Sequence, residues 1–184
     1  MIRRKTCKRY NDPGHAHALT LSCFQRRPFL SKDRTCNWLI EAIDSARNQH
    51  HFHVWAYVIM PEHAHLLLRP IEAAYDISDI LSSIKQSVAK QAVIYVRREA
   101  PAFLRWMEDR QPSGKIHYCF WQRGGGYDRN IVEPKTALQQ IEYIHNNPVR
   151  RGLSAKPEDW IWSSAADYLG IRTGPLRIDR LSLP

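Results

Sequence analysis

Apolar residues recur along this chain with two periods, and the switches between them divide it into alternating strands and helices. Residues 15–24 (HAHALTLSCF) are small, apolar and β-compatible, and the polar Gln25-Arg26-Arg27-Pro28 closes the run, which predicts a strand. Cys36, Leu39, Ile40, Ile43 and Ala46 then fall at helical spacing, with Ser31 as the expected cap and an end near His50. Residues 52–60 (FHVWAYVIM) predict a second strand in which Phe52, Val54, Ala56 and Val58 share one face. Pro61-Glu62 reads as a tight turn or bulge before a third strand at 63–68 (HAHLLL), so 52–68 forms a hairpin. Asp76 opens a long helix with an apolar stripe of Ile77, Ile80, Leu81, Ile84, Val88 and Tyr95, ending near Pro101.

The pattern weakens over residues 102–130. Residues 116–121 (IHYCFW) read as a short strand, and Gly124-Gly125-Gly126 as an unusual turn followed by a loop pair, Tyr127 and Asp128. Pro134 suits the first position of a last helix with core positions Ala137, Leu138, Ile141 and Ile144, stopped by Pro148. The order β-α-β-β-α-β-α implies an α+β chain: a ferredoxin-like antiparallel sheet with helices packed mainly on one face. Residues 1–170 are expected to form one domain, and 171–184, with Gly174-Pro175 and few core residues, a loosely structured tail.

Composition narrows the partners. A formal charge of +9 favours polyanions, and lysines and arginines cluster at Arg3, Arg4, Lys5, Lys8 and Arg9, at Arg26 and Arg27, at Arg97 and Arg98, and at Arg150 and Arg151. No apolar run has bilayer-spanning length and no secretory signal opens the chain, so no membrane partner and a cytoplasmic location are expected. Cys7, Cys23, Cys36 and Cys119 form no C-x-x-C pair and read as free thiols.

Two constellations carry chemistry. On a strand, His63 and His65 share a face about 6.6 Å apart at their Cα atoms. Two imidazoles so placed can converge on one cation, while Ala64, Leu66 and Leu68 pack on the other side. An H-x-H triplet alone is weak, since His15 and His17 form a second one. On the last helix, Tyr143 and Asn147 are i and i+4 on one face, and Gln139 and Gln140 extend that polar side. A tyrosine beside an amide able to ligate metal is a nucleophile candidate, with Asn147 offering a carbonyl oxygen as third ligand. Tyr127 is an alternative nucleophile, lacking such an i+4 partner.

Three separated segments are recognisable. VIMPEHAHLLL (58–68) resembles the HUH segment of single-tyrosine transposases, and IEYIHNNPVR (141–150) resembles the helix bearing their tyrosine. PEDWIWSS (157–164) resembles a downstream segment of one branch, the REP-associated tyrosine transposases. The resemblance, over roughly residues 10–170, implies a ferredoxin-like core, Mg²⁺ or Mn²⁺, and single-stranded or hairpin DNA. It implies metal ligation by His63, His65 and Asn147 and attack by Tyr143 through a 5′-phosphotyrosine intermediate. A monomer is expected, with a dimer as the alternative. DNA contacts are expected from Arg3, Arg4, Lys85, Arg123 and Arg150, with Lys90, Arg97 and Arg98 on the same helix as Lys85. A catalytically inactive DNA-binding relative and a water-activating metal hydrolase are the rival readings.

Overall fold

A computed structural model describes residues 9–124 and 126–180. Arg3, Arg4, Lys5, Cys7, Lys8 and Gly125 lie outside the described residues. The elements are β1 (Ala16–Ser22), α1 (Asp33–His50), β2 (Phe52–Met60), β3 (His63–Pro70), α2 (Ile77–Glu99), β4 (Glu108–Arg110), β5 (Ile116–Tyr118), β6 (Tyr127–Ile131), α3 (Pro134–Arg150) and α4 (Ala165–Tyr168).

Four strands form an antiparallel sheet in the order β2-β3-β1-β6, the ferredoxin-like arrangement expected from the sequence. The alternation of β1 and β3 assigns its faces. Leu19, Leu21, Ala64, Leu66 and Leu68 turn to the face covered by α1 and α2, where the larger core lies. Ala16, Ala18 and Leu67 turn to the opposite face with Ala137, Ile141 and Ile144 of α3. The two longest helices thus share one face, and α3 holds the other. The odd positions of β3, including His63 and His65, look toward α3.

Several local expectations change. A register shift between Val54 and Ala56 puts a bulge at Trp55. Phe52 and Val54 therefore join the α1/α2 core, while Ala56 and Val58 cross to the α3 side. Lys32, not Ser31, precedes the first turn of α1, and no side chain caps it. Asp76 does cap α2, accepting from the Ser78 amide at 2.6 Å. Pro148 does not stop α3 but sits in its final turn, where the helix runs on to Arg150. Leu138 is 49 % exposed and leaves the core stripe.

The fourth strand of the sheet is β6, not the 116–121 run. Of that run only Ile116–Tyr118 is strand, paired with β4 in a separate two-stranded ribbon. Tyr127 and Asp128 are strand residues, opposite Thr20 and Leu19 of β1. Gly126 admits this pairing: its φ is +67°, and a Cβ there would lie 2.7 Å from the Thr20 carbonyl oxygen. Any side chain at this position would push β1 and β6 apart.

The segment after Gly170 has neither helix nor strand among its described residues, yet it is not loose. Leu176 is 1 % exposed in the larger core, its amide donates to the Tyr57 hydroxyl, and the Asp179 carboxylate accepts from the Val54 amide at 2.9 Å. Residues 160–164 cover the edge of β2. The Ile59 amide donates to the Trp162 carbonyl at 2.8 Å, and the Trp160 indole donates to the Ile59 carbonyl at 2.9 Å.

Ser164 ties this cover to α3. Its hydroxyl accepts from the Tyr57 amide at 3.0 Å and meets His145 Nε2 at 2.9 Å. Burial lowers the His145 pKa from 6.5 to about 4, so the ring is neutral in the fold. The unfolded chain takes up this proton first as pH falls. Stability is therefore full above pH 6.5 and is lost toward pH 4, by up to about 3 kcal/mol from this residue. Urea midpoints measured from pH 7 to pH 4 should fall less steeply for His145→Gln than for wild type. Equal slopes would reject this origin. Buried His63 and His65 slope the same way, so the difference between the two proteins is the readout.

Candidate active site

β3 and α3 bring the two sequence constellations together. The Nε2 atoms of His63 and His65 face each other at 3.1 Å, with ring planes 85° apart. The Tyr143 ring meets His65 edge-on, with 5.6 Å between centroids. Tyr143 is 42 % exposed, whereas both histidines are buried. A phenol open to solvent thus stands over two shielded imidazoles.

Each imidazole has a polar neighbour at its other nitrogen. His65 Nδ1 lies 3.0 Å from the Thr20 hydroxyl across the β1–β3 ladder. His63 Nδ1 lies 3.3 Å from the Glu62 carboxylate but is out of line for a good hydrogen bond, so Glu62 acts on it mainly by charge. Arg151 pairs with the same carboxylate at 2.8 Å. Protons on both Nδ1 atoms would leave two Nε2 lone pairs aimed at one another. A shared proton or a cation relieves that arrangement. The proton is disfavoured: burial lowers the pKa of His63, and burial with the His63 charge lowers that of His65 to about 4.

Facing, neutral, oriented nitrogens are what a divalent cation requires, and their separation suits two neighbouring donors each about 2.1 Å from one ion. The donor set is incomplete in protein groups. Among the described residues, no cluster of three or more histidines, cysteines, aspartates or glutamates could hold a metal. An ion here would keep open positions for substrate. Asn147 is buried one turn beyond Tyr143, and its Nδ2 donates to the Tyr143 carbonyl at 2.8 Å. That bond leaves Oδ1 as the atom able to ligate, and it ties the amide to α3 rather than to either imidazole.

The expected DNA contacts fall in different places. The Arg150 guanidinium lies over the Tyr143 ring at 5.4 Å, at the site itself. Arg123 pairs with Asp109 at 2.8 Å. Lys85 lies on α2, the helix on the other face of the sheet, and burial holds its pKa below the usual lysine value. Tyr127 begins β6 opposite Thr20, which turns it to the histidine face, but the phenol in ring contact with His65 is that of Tyr143. His17, the false positive, is fully buried on the other face between Asp128 and Tyr75.

Sequence reasoning missed Glu62, Thr20, Arg26 and Arg151 as parts of the site. The charges of Arg26 and Arg151 both lower the His63 pKa. Glu62 adjoins His63 in the chain, and Thr20 has the strand parity to face the histidines; those were the available signals.

Residues 14–147, which span both histidines, Tyr143 and Asn147, match the model of the IS200-like transposases. The chain belongs to that family. This IS200-like transposase is 26 % identical over 140 residues to a REP-associated tyrosine transposase of Haemophilus influenzae, covering 72 % of this chain and 74 % of that protein. It also resembles in fold a solved REP-associated tyrosine transposase bound to a REP hairpin. That match has a TM-score of 0.69 at 19 % identity and covers 96 % of this chain and 93 % of the other. The Haemophilus relative is of the branch that residues 157–164 resemble. No helix of the transposase is long and apolar enough to cross a membrane among the described residues.

Proposed function

We propose that this IS200-like transposase nicks and rejoins single-stranded DNA beside hairpin-forming repeats, using Tyr143 as nucleophile and His63 and His65 to hold a divalent metal. The observation that carries the reading is the contact of an exposed phenol on α3 with a buried, neutral imidazole pair on β3. Its hairpin substrate is suggested by the REP hairpin bound to the structurally similar transposase. Mg²⁺ or Mn²⁺ is the expected ion, with Asn147 the candidate for a further ligand.

The Tyr143 oxygen attacks phosphorus, the P–O3′ bond breaks, and the tyrosine proton passes to solvent as the 3′-oxygen gains one. A protonated phenol is a weak nucleophile. A bound metal would supply Lewis-acid polarisation of the phosphate oxygens. Arg150, over the ring, and Arg26 and Arg151, near His63, place positive charge where a phosphodiester gains negative charge. The 5′-phosphotyrosine ester keeps the energy of the broken bond. A second 3′-hydroxyl can therefore displace the tyrosine and rejoin the strand without ATP.

The test is a labelled hairpin oligonucleotide with single-stranded flanks, incubated with the protein and Mn²⁺ and then denatured. A protein-linked DNA band is expected. Cut DNA without the band would mean hydrolysis by water, and bound but uncut DNA would mean a catalytically inactive relative.

A further inference from the structure

Between the start of α1 and the end of α2 lies a cavity of about 450 Å³, within the range of about 300–1,000 Å³ typical of small-molecule sites. Trp38, Tyr95 and Trp106 line it with Arg27, Lys32 and Arg34, and no aspartate or glutamate contributes to its wall. The Arg34 guanidinium stacks 4.0 Å from the Tyr95 ring centroid, and that of Arg27 lies 5.0 Å from the Trp106 ring. None of the three cations forms an ion pair among the described residues. Trp106 is 44 % exposed at the mouth. An aromatic interior beneath an unneutralised basic rim suits a flat ring carrying a phosphate.

We propose that this cavity takes one unpaired base of the DNA strand, stacked against Trp106 with its phosphate on the Arg27–Arg34 rim. The chain path supports a shared strand. Ser22 at the end of β1 stands opposite His63, the Cys23 amide donates to the Glu62 carbonyl at 2.9 Å, and Arg27, four residues on, lines the cavity. Phe29, two residues further, packs against Phe120 in the cavity wall, and the Leu30 amide next to it donates to the carbonyl of Pro61, in the turn before His63. A strand leaving the imidazoles along this segment would arrive at the cavity. Backbone charge holds such a strand, and stacking holds a base of any identity. The proposal rests on the DNA-cleaving reading and adds to it a second anchor away from the tyrosine.

The experiment measures affinity for the same flanked hairpin, in chelator so that no cleavage occurs, with each unpaired nucleotide in turn replaced by an abasic one. For wild type, one position should weaken binding about tenfold when its base is removed. Trp106→Ala should bind the intact oligonucleotide about tenfold more weakly and show no further loss at that abasic position. Trp106→Phe should retain most of the affinity, and Arg34→Gln should weaken binding without abolishing the base dependence. Exposure of Trp106 makes the fold tolerant of these changes, and an unchanged melting temperature checks this. Abasic penalties that are the same in wild type and Trp106→Ala overturn the proposal and give the cavity to another occupant, such as a protein segment. The cleavage reading would then stand or fall on its own covalent-band assay. Failure of the oligonucleotide to bind at all overturns both.

Discussion

Tyr143→Phe is expected to abolish the covalent DNA–protein band and to lower strand cleavage by at least about a thousandfold, the scale of losing a nucleophile. DNA affinity should stay within about twofold. The substitution removes one oxygen from a ring that is 42 % exposed, so it leaves no buried polar group unpaired. The edge contact with His65 and the Arg150 stack use the ring itself, which phenylalanine keeps. Binding and chemistry therefore separate in this variant. Wild-type cleavage by Tyr143→Phe would reject the assignment. Tyr127, on the same face of the sheet, would be the next residue to replace.

The second large effect concerns the imidazoles. His63→Ala with His65→Ala should lose metal-dependent cleavage by about a thousandfold or more, and either single substitution should cost nearly as much, because the pair acts as a unit. A direct readout is thermal stability with and without Mn²⁺. An ion bound to the folded state raises the melting temperature, with a stabilisation that grows as the logarithm of one plus its concentration over its Kd. Wild type should show that rise and the double variant none. The fold should survive, since Ala64, Leu66 and Leu68 anchor β3 from the opposite face. An equal Mn²⁺ response in both proteins would place the metal elsewhere.

Much of this was legible because the informative signals were periodic and local. Alternation in residues 63–68 predicted that both histidines leave the core together, and 3.6-residue spacing in 134–150 placed Tyr143 and Asn147 on one helix. The meeting of strand and helix was not in either period. It came from resemblance, and the ring contact between His65 and Tyr143 then gave it geometry.

What escaped had non-local causes. The bulge at Trp55 inverts the facing of half a strand, and its sequence, VWA, carries no glycine or proline to mark it. β6 (YDRNI) is polar because it is an edge strand whose aspartate pairs with Arg9, so it read as loop. The apolar run 116–121 looked more strand-like, yet it divides between a small ribbon and the core residues Phe120 and Trp121. Thr20 gains its role through His65 on another strand, and Glu62 meets Arg151 at the far end of α3. Tail residues Leu176 and Asp179 are fixed by contacts to β2 more than a hundred positions away in the chain.

The edge cover by residues 160–164 and the His145–Ser164 link have an implication for how catalysis is housed. They pin α3 onto the sheet of its own polypeptide, so on the proposed reading the Tyr143 phenol and the two imidazoles would come from one chain.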